Sequence, residues 1–247
     1  MHQELCKNCT HIYQGKFCPN CGQKAATHEI DFNFVMHEVP HSAFHLSKGI
    51  FFTIKELCIR PGKTIKDYFE GKRINHFPPL TYLLIITSLF VFVKSLQIAF
   101  NFREIKKENT SELNQFIDKN FILVLLIMIP VYALVYKLFH LKFKYNYWQL
   151  LVAQTFIIGH IFLIMLIPQL VFFFFPETRN LFKGYFLLIT AVFQIFTYYQ
   201  LFNDSRTIKI RLLIRELICY AVATIIAIVF TVFLLGVITE ITKFMHH

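Results

Sequence analysis

Five long apolar runs constrain the fold of this chain more than any other feature of its sequence. They lie at about 79–100, 121–141, 148–175, 182–202 and 213–238. Each is near or above the roughly 20 residues that a helix needs to cross the hydrocarbon core of a bilayer. Pro130 and Pro168 predict a kink in the second run and a kink, a tilt or a break in the third. The sequence therefore predicts an all-α polytopic membrane protein with about five transmembrane helices, which form a bundle over residues 79–247.

Composition and charge favour the same class. Of the 247 residues, 55% are hydrophobic and only 16% are charged, whereas about 25% are charged in an ordinary soluble domain. We attribute the formal charge of +10 to Lys and Arg at the membrane-facing ends of the spans, where they meet anionic headgroups. Nucleic-acid binding would need a basic stripe with exposed aromatic residues. Membrane lipids are thus the expected partners, and a nucleic-acid partner is not expected.

Basic residues also predict the orientation. With the N-terminus inside, the Lys- and Arg-rich segment before residue 79 and the loops at 142–147 and 203–212 are all cytoplasmic. The first residues have no apolar core of the length that a cleavable signal peptide requires. We therefore expect a cytoplasmic N-terminus and an external C-terminus.

Residues 1–27 contain two Cys-x-x-Cys pairs, and they predict a small zinc ribbon at the head of the chain. Cys6, Cys9, Cys18 and Cys21 can supply four thiolates to one tetrahedral ion. Because such a site has no open position, the Zn²⁺ would be structural. The insert between the pairs predicts a hairpin with Gly15 at its bend. A redox dithiol is the alternative, but the βαβ context of such motifs is absent.

Residues 28–43 are predicted to be a linker. His37, His41 and His45 recur every four residues, the spacing of metal ligands on one helix. Pro40 is expected to interrupt any such helix, so a solvated or headgroup-facing linker is favoured.

Residues 44–78 are predicted to be an amphipathic, interfacial helical segment. Over 44–59 an apolar face can lie in the plane of the membrane surface or pack on the bundle. Thr64 and Asp67 resemble a helix-start box, and the short helix that follows is expected to end at Gly71. Lys72 and Arg73 can then bind lipid phosphate or anchor the first span.

Polar residues inside the spans are the remaining candidates. His160 lies near the middle of the third run and Gln194 lies midway along the fourth. They can line a cavity for a lipid headgroup or an ion. They can equally form hydrogen bonds between helices.

The cysteine ribbon, the residues Pro61-Gly62, Gly71-Lys72-Arg73 and Pro78-Pro79, and the spans that follow together carry a resemblance. The chain resembles an uncharacterised bacterial membrane-protein family, a domain of unknown function with an N-terminal zinc ribbon and several transmembrane helices. The resemblance implies a bacterial inner-membrane location and no particular activity.

The sequence favours a binding function over catalysis, because it contains none of the common catalytic motifs. We expect a non-enzymatic scaffold or adaptor whose ribbon contacts a protein partner or a second copy through Ile12, Tyr13 and Phe17. The alternative is binding or transport of a lipid or small solute by the bundle, with His160, Gln194, Lys72 and Arg73 as contacts.

Overall fold

A computed structural model describes residues 3–25, 27, 29–41, 49–100, 121–175, 178, 185–203 and 209–245. Within these residues the chain forms a two-stranded sheet followed by eight helices. The strands are β1 (Glu4–Leu5) and β2 (Ile12–Tyr13). The helices are α1 (Phe32–His41), α2 (Gly49–Ile59), α3 (Pro61–Phe69), α4 (Pro79–Phe100), α5 (Phe121–Phe139), α6 (Tyr147–Phe174), α7 (Tyr185–Phe202) and α8 (Ile210–Met245).

The head has a different strand pairing from the one predicted. β1 runs antiparallel to β2, with Leu5 opposite Ile12, so the strand pair encloses the first cysteine pair. An isolated bridge between Phe17 and Lys24 encloses the second pair in the same way. The predicted hairpin about Gly15 is wrong, because each strand pairs across a cysteine turn and Gly15 lies in the bend between the two halves.

The predicted linker contains a helix that the sequence analysis did not expect, and its role as a linker stays a prediction. Helix α1 begins after Asp31, whose Oδ1 accepts a hydrogen bond of 2.7 Å from the backbone N–H of Phe34, as an N-cap residue does. The helix contains Pro40 and ends one residue later. A proline so near the end of a helix removes only one backbone hydrogen bond. The ring of Phe32 packs 5.2 Å from that of Trp148 at the start of α6.

Helices α2 and α3 form the segment ahead of the first apolar run. Of the predicted amphipathic helix, residues 49–59 are helical, and residues 42–48 lie outside the described part of the chain. Ile50, Thr53 and Leu57 are buried, and the Thr53 hydroxyl accepts a 2.7 Å hydrogen bond from the backbone N–H of Phe77. This face packs on the protein, whereas Phe51 on the opposite side is 77% exposed.

The start of α3 also differs from its prediction. Pro61 occupies the first turn of the helix, where its missing N–H is no loss. Thr64 is therefore inside the helix, and its hydroxyl donates to the carbonyl of Arg60 at 2.9 Å instead of capping. The helix stops before Gly71, as expected. Gly71 has φ +93°, and the backbone N–H of Lys72 bonds back to Asp67 O at 3.0 Å, the pattern of a Schellman motif.

Helix α6 is the centre of the bundle. Helices α4, α5 and α7 pack on it, and α8 packs on α5 and α7. In α6, 72% of the most apolar stretch is buried within the protein, compared with 22% in α8. Helix α6 therefore carries the core, while α8 leaves most of its apolar surface facing outward.

Within the described residues, three helices are long and apolar enough to cross a membrane, which supports an integral membrane protein. They contain the segments Pro79–Gln97, Tyr147–Phe174 and Ile210–Leu234. Shorter apolar segments occur in α5 (Ile127–Phe139) and α7 (Leu187–Phe202). Pro130 and Pro168 both lie inside unbroken helices, so the third run does not break.

Candidate metal centre and the contacts that hold it

The two cysteine turns of the ribbon have the same backbone geometry. In the first, the N–H of Thr10 bonds to Cys6 O at 2.9 Å, and in the second the N–H of Gly22 bonds to Cys18 O at 2.8 Å. Thr10 and Gly22 each follow the second cysteine of their turn and have positive φ values of 59° and 77°. This repeated turn directs the two thiols of each pair toward the same point.

The four thiols predicted as ligands are brought together. The ligand atoms of Cys6, Cys9, Cys18 and Cys21 all lie within 4.8 Å of one another. Cys6 Sγ is 3.6 Å from Cys21 Sγ, and Cys9 Sγ is 3.5 Å from Cys18 Sγ. Sulfur atoms bound tetrahedrally at about 2.3 Å from one ion are roughly 3.8 Å apart. The cluster can therefore hold a metal ion.

Local hydrogen bonds differentiate these thiols. Hydrogen bonds with the Asn20 side chain and the His11 backbone lower the pKa of Cys9 to about 6. The backbone of Gln23 lowers the pKa of Cys21, but burial and hydrogen bonds with neighbouring thiols raise it more, to about 11. Cys9 is thus a thiol that ionises readily, and a bound metal ion would ionise Cys21 as well.

A buried glutamine docks the ribbon on the rest of the protein, and the sequence analysis missed it. Gln23 is only 4% exposed. Its Nε2 donates to Gly71 O at 2.7 Å, and its Oε1 accepts from the backbone N–H groups of Arg73 and Ile74 at 3.1 and 3.3 Å. We call residues 71–74 the juxtamembrane turn. The turn that follows α3 therefore fixes the ribbon through backbone groups.

Lys72 and Arg73, the predicted headgroup residues, are both engaged by the protein. Lys72 Nζ bonds to Asp67 at 2.6 Å and to Glu70 at 3.1 Å, and these carboxylates raise the pKa of Lys72. The Arg73 guanidinium lies 4.5 Å from the ring centroid of Phe34 and 5.1 Å from that of Tyr68. In this arrangement both cations brace the juxtamembrane turn, and headgroup binding stays a prediction.

At Gly62 the backbone of α3 lies close to the backbone of α7. Its N–H donates to the Gln200 side chain at 3.1 Å. A Cβ atom at this position would lie 2.3 Å from Thr197 O and 2.5 Å from the backbone N of Leu201. The Pro-Gly pair thus starts α3 and lets its backbone touch α7.

His160 is fully buried and joins three helices. Its Nδ1 is 2.9 Å from the hydroxyl of Tyr82 on α4, and its Nε2 is 3.4 Å from the thiol of Cys58 on α2. Neighbouring Gly159 makes this contact possible, because a Cβ there would lie 2.9 Å from the Tyr82 ring. Both ring nitrogens are therefore occupied by contacts between helices.

Gln194 is likewise buried in a contact between helices. Its amide pairs with that of Gln154, with N···O distances of 3.4 and 3.5 Å. The Tyr198 hydroxyl donates to Gln154 Oε1 at 3.0 Å. Among the hydrogen bonds of the described residues, none joins Gln194 to His160: Gln194 connects α7 to α6, and His160 connects α6 to α4 and α2.

A second polar pair was not recognised from the sequence. His140 Nε2 lies 2.7 Å from Glu216 Oε1, and both side chains are fully buried. His140 Nδ1 contacts Tyr136 O at 2.9 Å, and its ring stacks on Phe202 at 3.8 Å. The only available signal was an acid and a histidine near the ends of separate apolar runs, which does not predict their pairing.

Comparison with known proteins gives one match. Residues 48–91 match the family model of a protein of unknown function, DUF3667. No curated protein and no solved structure matches the chain. The matched range contains Pro61-Gly62, Gly71-Lys72-Arg73 and Pro78-Pro79, whereas the cysteine cluster lies outside it. Over α2, α3, the juxtamembrane turn and the first part of α4, the chain is therefore similar to an uncharacterised family, which confirms the resemblance those residues carry.

Proposed function

We propose that this protein is a non-enzymatic membrane adaptor whose zinc ribbon binds a protein partner at the cytoplasmic face of a bacterial inner membrane. The observation that carries the proposal is the apolar pair on a docked ribbon. Leu5 and Ile12 lie opposite each other across the two strands and are 62% and 61% exposed. Gln23 holds this surface in a defined position relative to the membrane helices.

The exposed apolar surface of the ribbon differs from the one expected. Phe17 is exposed, but Tyr13 is buried beside Cys6 and Cys18 in the small core of the head. Adjacent exposed apolar side chains, such as Leu5 and Ile12, favour a binding surface more than singly exposed ones do. Leu5, Ile12 and Phe17 are therefore the proposed contacts for an apolar segment of the partner.

Zinc is the metal we assign to the cluster. Four cysteine sulfurs at tetrahedral spacing are typical of structural Zn²⁺, although iron–sulfur proteins also use four thiolates. Two Cys-x-x-Cys turns, each flanked by a short antiparallel strand pairing, favour zinc. Because all four positions are filled by protein, the ion would stabilise the head and perform no catalysis.

Five crossings agree with the contacts between the ends of the helices. The end of α4 contacts the end of α6, where Gln97 Nε2 donates to Gln169 O at 2.6 Å, so these helices run parallel. The end of α5 contacts the start of α6 through Lys137 Nζ and Tyr145 O at 2.7 Å. The end of α7 and the start of α8 meet that same region through Phe202 and Glu216. This alternation supports five spans.

A photo-crosslinking amino acid at Ile12, introduced in the full chain in intact cells, tests the adaptor function. The same amino acid at Gln14, an exposed polar position on the same ribbon, is the matched control. We expect Ile12 to give a discrete protein adduct that Gln14 does not. An adduct of twice the mass of the chain would identify the partner as a second copy. No adduct at Ile12, or identical adducts at both positions, would contradict the proposal.

Lipid binding by the bundle is a second candidate function, and one cavity favours it. An apolar cavity of about 680 Å³ lies between α4, α5 and α6, and its lining includes Leu84, Val91, Ile129 and Trp148. Such a groove suits an acyl chain of any lipid. Leu84→Trp should fill it and reduce the lipid retained in native mass spectrometry, and unchanged retention would dismiss this candidate.

A further inference from the structure

A second cavity carries positive charge. It has a volume of about 730 Å³ and opens where α7 ends and α8 begins. Its described lining residues are Phe143, Phe202, Lys209, Ile210, Arg211, Leu212 and Arg215. Three of these are basic and none is acidic.

The basic groups of this cavity are not neutralised by the described protein. Lys209 and Arg211 are exposed and form no ion pair within the described part of the chain. Arg215 Nε is buried without a hydrogen-bond acceptor. Glu216 Oε1 is 3.9 Å from it and already pairs with His140. Among the described residues, the cavity is therefore lined by three cations, and the carboxylate beside Arg215 is shared with a histidine.

Aromatic rings give the cavity a fixed wall. Phe143 and Phe202 pack with their centroids 4.8 Å apart, and Phe202 stacks on the buried ring of His140. The Arg215 guanidinium lies 5.0 Å from the Phe143 centroid, which orients its planar group. A ligand here would meet both basic groups and apolar rings.

The position of the cavity in the bundle indicates which ligand would fit. The spanning segment of α8 begins at Ile210, so the cavity lies where a span meets the polar region of the bilayer. Arginine binds phosphate oxygens with two parallel hydrogen bonds, and clustered Lys and Arg at this depth attract anionic headgroups. Ile210 and Leu212 offer an apolar surface beside the cations.

We propose that this cavity is a binding site for a phosphate group, supplied by an anionic phospholipid headgroup or by a soluble phosphate monoester. This cavity is a better candidate for headgroup binding than Lys72 and Arg73, because those two side chains are already bound by Asp67, Glu70 and Tyr68. The site is separate from the ribbon and from the groove near Leu84. Because that groove suits the acyl chain of any lipid, it would not discriminate between headgroups.

The test uses the full chain with Lys209→Gln and Arg211→Gln together. Both residues are exposed, so the variant should fold. The matched control is Lys55→Gln with Lys63→Gln, which removes two exposed cations from α2 and α3. Binding of phosphatidylglycerol and of phosphatidylcholine is measured by native mass spectrometry from mild detergent, and glycerol 3-phosphate is added as a competitor.

We expect phosphatidylglycerol to bind the wild type and the control equally, and the Lys209/Arg211 variant roughly 30-fold more weakly. Displacement by glycerol 3-phosphate would show that the site also takes a soluble phosphate, and its absence would assign the site to the lipid. Equal weakening in the control, or unchanged binding in the variant, would overturn the proposal. Equal binding of phosphatidylcholine, which also has a phosphate but no net charge, would overturn the assignment to an anionic headgroup.

Discussion

His140 Nε2 lies 2.7 Å from Glu216 Oε1, and 76 positions of sequence separate these two buried residues. The pair joins the end of α5 to the start of α8, with Phe202 of α7 stacked on the imidazole. Helix α5 is thereby held at one point to α7 and α8, which are distant from it in the chain. Because both side chains are fully buried, removing either one leaves the other polar group buried without this partner.

Glu216→Ala should lower the free energy of unfolding by about 3–5 kcal/mol, because it leaves the His140 imidazole buried without its partner. Thermal unfolding in mild detergent measures the loss. Glu29→Ala, at an exposed position, should change stability by no more than about 0.5 kcal/mol. The double variant His140→Phe with Glu216→Leu should recover most of the loss, and a double variant as unstable as Glu216→Ala would show that the pair is not the cause.

Gly62→Ala should be among the most damaging single-methyl changes in this chain. The added Cβ would lie 2.3 Å from Thr197 O and 2.5 Å from Gln200 Cβ. Because backbone atoms cannot move aside like a flexible side chain, α3 would have to separate from α7, with an expected loss of about 3 kcal/mol or more.

Gly236→Ala is the matched control for that change. Nothing lies within 4 Å of a Cβ built at Gly236 in α8. Helix propensity alone should then stabilise the variant by about 0.5–1 kcal/mol. Equal effects of the two alanines in the same thermal measurement would argue against the close α3–α7 contact.

Sequence patterns predicted the features that depend on neighbouring residues. The apolar runs predict helices because a bilayer leaves an isolated segment few other structures, and α4 and α6 fall on two of those runs. The cysteine cluster was also predictable, because two residues between thiols suffice to place both at one ion. The end of α3 at Gly71 follows from a glycine that can adopt positive φ.

Features decided by tertiary contact were out of reach of the sequence. Helix α1 tolerates Pro40 because its other end is capped by Asp31 and packed on Trp148. The sequence predicts Tyr13 as a surface contact. Its burial could not be predicted, because it depends on which way a two-residue strand faces. The docking role of Gln23 could not be predicted, because it depends on the contact between the ribbon and the juxtamembrane turn.

Gln23→Ala should release the ribbon from the juxtamembrane turn without unfolding it. The variant loses the side-chain oxygen that accepts hydrogen bonds from the Arg73 and Ile74 N–H groups. Each of these hydrogen bonds contributes about 1 kcal/mol of stability. We expect hydrogen exchange of these two amides to accelerate by about tenfold or more, while the amount of metal bound by the cysteine cluster stays the same. Gln14→Ala on the exposed ribbon surface should leave both quantities unchanged. Exchange as slow as in the wild type would mean that Gln23 does not hold the ribbon.

Acid should lower the stability of the wild type more than the stability of a variant that lacks His76. Its ring meets those of Phe52 and Tyr68 edge-on at 5.2 and 6.1 Å, and neither ring nitrogen has a hydrogen-bond partner in the described structure. Burial lowers the pKa of His76 below 6.5. The unfolded chain therefore binds more protons as the pH falls below 6.5, and stability decreases over that window.

His76→Phe should reduce this loss between pH 7 and pH 5, and the two proteins should run parallel above pH 7. Thermal unfolding across that range measures the difference in slope. Ile50→Val lowers stability by about 1 kcal/mol without removing a titratable group, so it should keep the wild-type slope. A slope for His76→Phe equal to that of the wild type would exclude His76 as the source.

Substitutions at equivalent positions of the two cysteine turns, Thr10→Gly and Gly22→Thr, should have opposite effects. Thr10 adopts φ +59° and Gly22 adopts φ +77° in equivalent positions, but only glycine reaches this region without strain. Thr10→Gly should relieve about 1 kcal/mol, whereas Gly22→Thr should add a similar strain. Because metal binding and folding of the head are coupled, Thr10→Gly should bind zinc about 5-fold more tightly and Gly22→Thr about 5-fold more weakly. Competition with a chelator of known affinity measures both, and changes in the same direction would refute the equivalence of the two turns.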